Sequence, residues 1–496
     1  MGAAFAPRQS GHKGPSHIYW RFAETPYNSG VRENPDPSRL ELSPDEMRQL
    51  GYRVVDILVR HFAEGRNEPV GAKGAPSDLL ARFSGPPSEA PTEPNELLSR
   101  LEKDVFPNNL HVDHPRFFAF VPGPGNFVGT MADALVSGFN IFNGTWLGGS
   151  AAAAIEMVVI GWFKRFCGFP DGAGGLFTSG GSVANLTALH TARRHKLGDQ
   201  IQGATIYFSD QTHYSVERAL RVIGFAPEQI RKIPSNDRFQ LPLDSLQEAI
   251  RSDRNAGRRP FCVVANAGTT NTGAVDPLSD LAELCQEENL WLHADGAYGA
   301  ATVLCERGRE KLGGLDRVDS LSLDPHKWLF QPFECGCVMV REAAHLKAAF
   351  QLMPEYMRDV HRHTAETNPA DYGIQLTRGF RALKVWLSIN TFGLAAFRDA
   401  ITRGFELAEF AEKELRQRRG CEILSHAEMG IVAFRFGQDD EIQTALVERM
   451  LQDGFAFLTS TTLKGKIALR LCTINPRTTE ADIIQTIDRL EKFAGS

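Results

Sequence analysis

The chain has 496 residues, 42% of them hydrophobic, and a formal net charge of −6. That is enough apolar side chain for a large core, about three pieces at ~150 residues per domain. Acids and bases are interspersed without a basic stripe, which argues against a nucleic-acid partner.

Eight cysteines in so long a chain are too sparse for a disulfide framework. The N-terminus, Met1-Gly-Ala-Ala-Phe-Ala-Pro-Arg8, lacks the apolar core of a secretion signal. The most apolar stretch, Ala151 to Phe163, carries Glu156 and is short for a bilayer. These features predict a reduced, soluble, cytoplasmic enzyme with no membrane partner.

Residues 1–40 are rich in Pro, Gly, Ser and Arg without periodicity and are predicted to be a loose tail. Ser43-Pro-Asp-Glu46 reads as a helix start: a serine cap, proline in the first turn, acids at the positive end of the dipole. Helical spacing continues through Leu50, Val54, Ile57, Leu58 and His61. Proline and glycine dominate Gly71–Pro94, which reads as a linker or extended arm, and a short helix is expected over Glu96–Val105. His114-Pro-Arg-Phe-Phe-Ala-Phe120 is an aromatic segment entering the irregular loop Pro122-Gly-Pro-Gly125. A long helical pattern covers Ser150–Phe166.

An alternation follows: helix 183–196, strand Ala204–Phe208, helix 215–223, strand Ile230–Ile233, strand Phe261–Ala265, helix 277–288, strand Leu290–Asp295. Short apolar strands between amphipathic helices predict a mainly parallel sheet covered on both faces. Another strand runs in from Val318. Residues 352–372 are polar with little periodicity and read as a long functional loop. A helix near 379–392, another from about 394, strands at Ile431–Phe436 and Ile467–Leu471 and a final helix 479–493 suggest a small α+β domain.

Four features along this chain ask for chemistry. Thr178-Ser-Gly-Gly-Ser182 precedes the helix opening Val183-Ala-Asn-Leu. Its free N–H groups and the hydroxyl of Ser182 could seat a phosphate, although a plain cap reads equally well. Asp295 ends an apolar strand, and in open α/β sheets the carboxyl ends of strands line the ligand crevice. A carboxylate there could meet a cationic ring nitrogen or simply cap the next helix. His213, in Asp210-Gln-Thr-His213 after another strand, is either a turn histidine or a face for a bound ring.

Lys327 follows the strand break at Asp324-Pro325, between His326 and Trp328. A lone lysine there more often snorkels from a strand end. Together the four suit one ligand, an aldehyde bearing a phosphate and a pyridine nitrogen. Pyridoxal 5′-phosphate would form a Schiff base with Lys327. Cys335-Gly-Cys337, the only close cysteine pair, lies in an apolar run and reads as strand packing, with zinc the alternative; no metal is expected.

The order and spacing of several short motifs carry a resemblance. They are His114-Pro-Arg-Phe-Phe-Ala, Thr178-Ser-Gly-Gly-Ser-Val-Ala-Asn185, Ser209-Asp-Gln-Thr-His213, Gly268-Thr-Thr, His293-Ala-Asp-Gly-Ala-Tyr298 and Asp324-Pro-His-Lys-Trp328. The chain resembles the group II pyridoxal-phosphate decarboxylases, most closely the aromatic-L-amino-acid decarboxylases. The resemblance implies the fold-type I architecture: a large domain with a mainly parallel seven-stranded sheet, a small C-terminal α+β domain, and an N-terminal helical segment embracing the partner of a homodimer with shared active sites. The corresponding boundaries are 1–40, 41–110, 111–392 and 393–496.

By the same resemblance, Lys327 carries the cofactor, Asp295 keeps the pyridine nitrogen protonated, and His213 stacks on the ring. Gly181, Ser182 and His326 contact the phosphate, Thr270 and Ala297 line the ring, and Tyr356 belongs to a mobile catalytic loop. Departures fall around the substrate, at Val112, Gly123, Phe142 and Gly144, the latter two reaching the neighbouring subunit's site. Phe120 and Phe142 keep that pocket aromatic. The implied reaction is decarboxylation of an aromatic L-amino acid to its amine. Glutamate or 2,4-diaminobutyrate as substrate, oxidative deamination to an aldehyde, and aminotransfer with Arg470 clamping the substrate carboxylate are the alternatives.

Overall fold

The computed structural model describes residues 40–352 and 366–495. These fall into two units that meet at Val54 and Val55. The first contains the start of a helix running Pro44–Glu64, closed as the sequence predicts. Ser43 Oγ accepts from the Glu46 N–H at 3.3 Å, and the Glu46 carboxylate accepts from the Ser43 N–H at 2.7 Å.

Two sheets organise the second unit. The larger comprises β1 (Gly174–Thr178), β2 (Ala204–Ser209), β3 (Ile230–Ile233), β4 (Arg259–Asn266), β5 (Trp291–Asp295), β6 (Ser320–Leu323) and β7 (Gly336–Val340), in the order β1-β7-β6-β5-β4-β2-β3. Only β7 runs antiparallel to its neighbours, so this is the mainly parallel seven-stranded sheet expected.

Successive side chains of a strand enter two different cores. Tyr207, Val263, Ala265, Cys337 and Met339 pack with Val159, Ile160 and Phe163 of the helix Trp146–Phe166. Ile206, Phe208, Cys262, Val264 and Val338 pack with Ala184, Ala188 and Leu189 of the helix Gly181–Leu197. Burial on both faces is why these strands read as unbroken apolar runs.

The smaller sheet is antiparallel: β8 (Cys421–Glu428), β9 (Ile431–Phe436), β10 (Thr459–Leu463) and β11 (Lys466–Cys472), in the order β10-β11-β9-β8. The helices Ala382–Arg416, Asp440–Asp453 and Glu480–Ala494 cover it, around Leu407, Phe434, Leu446, Leu469 and Ile487.

Several expectations need correction. Gly71–Pro94 is not simply an arm, because a helix spans Pro76–Phe83 within it. Pro76, one of the prolines behind the linker reading, stands at a first helical position, where its missing N–H is no loss. β1 was missed because two glycines open it; a Cβ on Gly175 would stand 2.4 Å from the Val338 carbonyl oxygen. The helices expected at 379–392 and from 394 are one element, Ala382–Arg416, bent at Gly393 with φ 76°. The apolar stretch expected to be short for a bilayer lies in a helix of 21 residues, long and apolar enough by composition to cross one. Its Glu156 is buried against Arg378, at 2.7 Å, and accepts from the Phe177 N–H and the Asn143 amide. That pairing makes it a core helix.

Candidate active site

Lys327 is placed by its neighbours. β6 stops at Leu323, and the Lys327 N–H donates to the Asp324 carbonyl at 2.9 Å, curling the chain back. The lysine Nζ then lies 3.3 Å from Asp324 Oδ2, which His326 Nε2 approaches to 3.5 Å. Trp328 anchors the turn. It is fully buried between Tyr298 and Phe405, with ring centroids at 5.7 and 5.9 Å. Cβ atoms on Gly404 and Gly430 would come within 2.6 and 3.0 Å of the indole. On the other side the Gly123 N–H donates to the His326 carbonyl at 3.1 Å, and a Cβ on Gly123 would stand 1.9 Å from the Lys327 carbonyl oxygen. Gly123 therefore lies directly under the lysine's backbone.

Asp295, buried at the carboxyl end of β5, is held from three directions. Oδ1 accepts from Ser322 Oγ at 3.1 Å and the Ala297 N–H at 3.2 Å, and Oδ2 accepts from Asn185 Nδ2 at 2.9 Å. The second hydrogen of that amide reaches Ser215 Oγ at 3.0 Å, whose hydroxyl donates to His213 Nδ1 at 2.8 Å. One hydrogen-bonded chain thus ties the acid to the imidazole. Because Nδ1 accepts, the His213 proton sits on Nε2, and burial holds the ring below its ordinary pKa, so it is neutral.

Asn185 also sets a second histidine. Its Oδ1 accepts from His293 Nε2 at 3.0 Å, while His293 Nδ1 accepts from Ser320 Oγ at 2.9 Å, itself an acceptor for Trp291 Nε1 at 2.8 Å. Complete burial pushes His293 down to about 4 from 6.5. The unfolded chain takes up this proton first, so stability is full above pH 6.5 and is lost as pH falls toward 4. His293→Gln is expected to flatten the fall in stability between pH 7 and 5 relative to wild type, by about 2 kcal/mol, read as melting temperature against pH. Identical profiles would show that His293 does not titrate there.

Asn185, His213, Ser215, Asp295, Asp324 and Lys327 border a cavity of about 260 Å³ that meets a larger one of about 800 Å³. Gly181, Ser182, His213, Thr270, Asp295, Ala297, His326 and Lys327, all expected from the sequence, line the smaller one. Val112 and Phe120 line the larger. Gly123, Phe142 and Gly144 line neither of these two spaces. Phe142 is 37% exposed, with its ring over Gly144 and Gly148, where a Cβ would meet it at 2.3 and 2.7 Å. Tyr356 lies outside the described residues.

Sequence reasoning gave no role to Asn185, Ser215, Ser322 or Asp324. The one signal available was a lone amide on an otherwise small, apolar helix face, Ala184, Ala188 and Ala192. Arg470, the candidate carboxylate clamp, lies on β11, which is paired on both sides. Its guanidinium is buried on the wall of the larger cavity and donates to the carbonyls of Phe120 and Thr270 at 3.0 and 2.8 Å. Among the described residues no carboxylate pairs with it, and burial holds its pKa below the ordinary value.

The smaller cavity suits a phosphorylated ring. The helix Gly181–Leu197 begins at its wall with no side-chain cap, leaving first-turn N–H groups for an anion. A Cβ on Gly181 would come within 2.8 Å of Ala297 and 3.0 Å of Asp324 Oδ2, so only glycine leaves that room. Asp324 Oδ1 is buried and finds no hydrogen-bond partner among the described residues.

An anion seat, a strand-end acid, a neutral imidazole and a lysine in one crevice of an α/β sheet suit a phosphorylated aldehyde. Residues 76–437 match the pyridoxal-dependent decarboxylase conserved domain, and the chain belongs to that family. It is 48% identical over 465 residues to the aromatic-L-amino-acid decarboxylase of Bacillus atrophaeus, covering 92% of this chain and 97% of that protein.

Among solved structures, the crystal structure of Oryza sativa TDC with PLP and tryptamine is similar with TM-score 0.87 at 27% identity, over 93% of this chain and 99% of that one. The crystal structure of Rhodiola rosea 4-hydroxyphenylacetaldehyde synthase gives 0.85 at 27%, over 92% and 99%. The fold is fold-type I, the cofactor is pyridoxal phosphate, and the enzyme is an amino-acid carboxy-lyase.

Proposed function

We propose that the enzyme decarboxylates an aromatic L-amino acid (tyrosine, DOPA, tryptophan or phenylalanine) to the amine and CO2. The lining of the 800 Å³ space carries this reading: Val112, Phe120, Tyr214 and Phe333 supply apolar and aromatic wall, and Arg470 is the one cation besides Lys327 among its described lining residues. One carboxylate can be anchored there; a second, as in glutamate, would be buried without a partner. Names of the relatives, aromatic-L-amino-acid decarboxylase and tyrosine decarboxylase among them, agree with this.

When bound, pyridoxal phosphate supplies the electron sink for the pair released as the Cα–carboxylate bond breaks. Lys327 would hold the cofactor through Nζ. The first-turn N–H groups at Gly181 and Ser182, with His326, would hold its phosphate, and Thr270 and Ala297 would line the space for its ring. Asp295, fixed by Asn185, Ser322 and the Ala297 N–H, keeps a proton on the pyridine nitrogen. The neutral His213 ring offers a flat face without adding charge, and Arg470 orients the substrate carboxylate. Tyr356 would give a proton to Cα.

The assay is incubation with each amino acid and measurement of CO2, amine and aldehyde under air. Aromatic substrates should lead, by ~1–3 kcal/mol per small group; a clear preference for glutamate or 2,4-diaminobutyrate overturns the reading. Tyr356→Phe should still release CO2 but divert product from amine to aldehyde, hydrogen peroxide and ammonia. Wild type making mostly aldehyde, like the relatives named for aldehyde synthesis, or a variant still making only amine at the wild-type rate, removes Tyr356 from the proton-donor role.

The working unit in this proposal is a cytoplasmic homodimer. All eight cysteines are unpaired, as a reducing compartment requires, and the exposed Phe142 is offered to the partner's site. Phe142→Asp should weaken dimerisation or raise KM while sparing the cofactor's absorbance. A fully active monomer in sedimentation would show that Phe142 serves only its own chain.

A further inference from the structure

No metal is expected from the sequence, yet away from the cofactor cavity the fold gathers three metal-ligating side chains from separate segments. His61 comes from the last turn of the helix Pro44–Glu64; His111 and Asp113 lie on the segment leading into Phe120. His61 Nε2 stands 2.8 Å from Asp113 Oδ2, and the rings of His61 and His111 have centroids 5.5 Å apart. One ligand atom from each of the three lies within 4.8 Å of the other two. They border a space of about 330 Å³ that Glu68 and His114 also line. His114 is already engaged: Nδ1 accepts from the Arg116 N–H at 3.0 Å and Nε2 faces the Glu68 carbonyl at 3.2 Å.

We propose that His61, His111 and Asp113 form a zinc site with three protein ligands and water completing the shell. Imidazole nitrogen and carboxylate oxygen are the donors zinc takes at about 2.0–2.1 Å, and two such donors on a tetrahedral ion stand about 3.3 Å apart. The pair now at 2.8 Å must part by about half an ångström. The widest separation, under 4.8 Å, must close by a shift of rotamer size. The side chains of His61 and Asp113 are 32% and 19% exposed, so an ion enters from solvent without unfolding.

Arg477 approaches Asp113 Oδ2 to 3.6 Å and donates to the Asp113 carbonyl, an outer contact that orients the ligand while competing modestly for its charge. Glu68 lines the same space. The ion would stitch the end of the helix to the segment whose Val112 borders the substrate space. The site stands apart from the decarboxylation machinery and does not depend on the substrate reading.

The test uses holoenzyme freed of divalent ions and titrated with zinc chloride against a chromophoric chelator. One zinc per chain should bind and raise the melting temperature. His61→Ala and His111→Ala should each weaken binding at least about tenfold, with the cofactor's absorbance and zinc-free decarboxylation unchanged in His61→Ala. Asp113→Asn, nearly isosteric, guards against a folding defect in either. Cobalt chloride should give the intense visible bands of a tetrahedral ion in wild type, lost in the same variants. No uptake by wild type at about tenfold excess of zinc, or binding equally strong in all three variants, overturns the proposal.

Discussion

Lys327→Arg is expected to abolish the covalent hold on the cofactor and to lower decarboxylation at least about 10³-fold. Arginine is the informative replacement because it keeps a cation beside the buried Asp324 carboxylate, now 3.3 Å from Nζ. Alanine would leave that acid with His326 alone and confuse a catalytic loss with a structural one. The guanidinium stays charged at any working pH and cannot form a Schiff base with an aldehyde. Wild-type protein should be yellow, and borohydride should fix the cofactor on the peptide containing Lys327. The variant should bind less cofactor, none of it fixed by borohydride, and melt close to wild type once cofactor is removed from both. Label on another lysine, or an arginine variant retaining a tenth of the activity, would mean that a different residue carries the cofactor.

Asp295→Ala should keep the fold and lose most activity. Removing one partner of a buried charge pair costs about 3–5 kcal/mol, which is roughly 150- to 5,000-fold in rate if it falls on the transition state. Asp295→Asn separates charge from shape. Its oxygen can still accept from Ser322 and the Ala297 N–H, but its NH2 would then face the Asn185 NH2 across 2.9 Å. Turning the Asn185 amide over would relieve that clash and set its NH2 against the His293 Nε2–H instead. The asparagine variant should therefore be both slow and somewhat less stable, whereas the alanine variant is slow mainly because the pyridine proton is unsupported. Normal turnover by either would mean that another acid serves the cofactor.

Much of the large sheet was legible because its chemistry is local. An apolar run of four to eight residues between turn signals is what a strand buried on both faces must look like, and β2, β4 and β5 read that way. Elements that break the pattern were not legible. β1 opens on two glycines because the neighbouring strand's backbone crowds it, and β8 and β10 are only half buried, so their residues alternate weakly. The helix Pro76–Phe83 hid behind its own proline.

The amino-acid order by itself determined which residues gather in the crevice. Lys327, Asp295, His213 and the glycine turn at Gly181 each sit at the end of a strand or the start of a helix, and the place such residues take in an α/β sheet follows from chain direction alone. Tertiary structure decided what holds them. The chain Asp295–Asn185–Ser215–His213 links residues up to 110 positions apart, and Arg470 reaches carbonyls 350 and 200 positions away. Gly123, read from the sequence as part of the substrate wall, is a glycine because the Lys327 carbonyl leaves no room for a Cβ. Hydrogen-bond direction and steric exclusion are pairwise properties of distant segments, and they exist only once the chain has closed on itself.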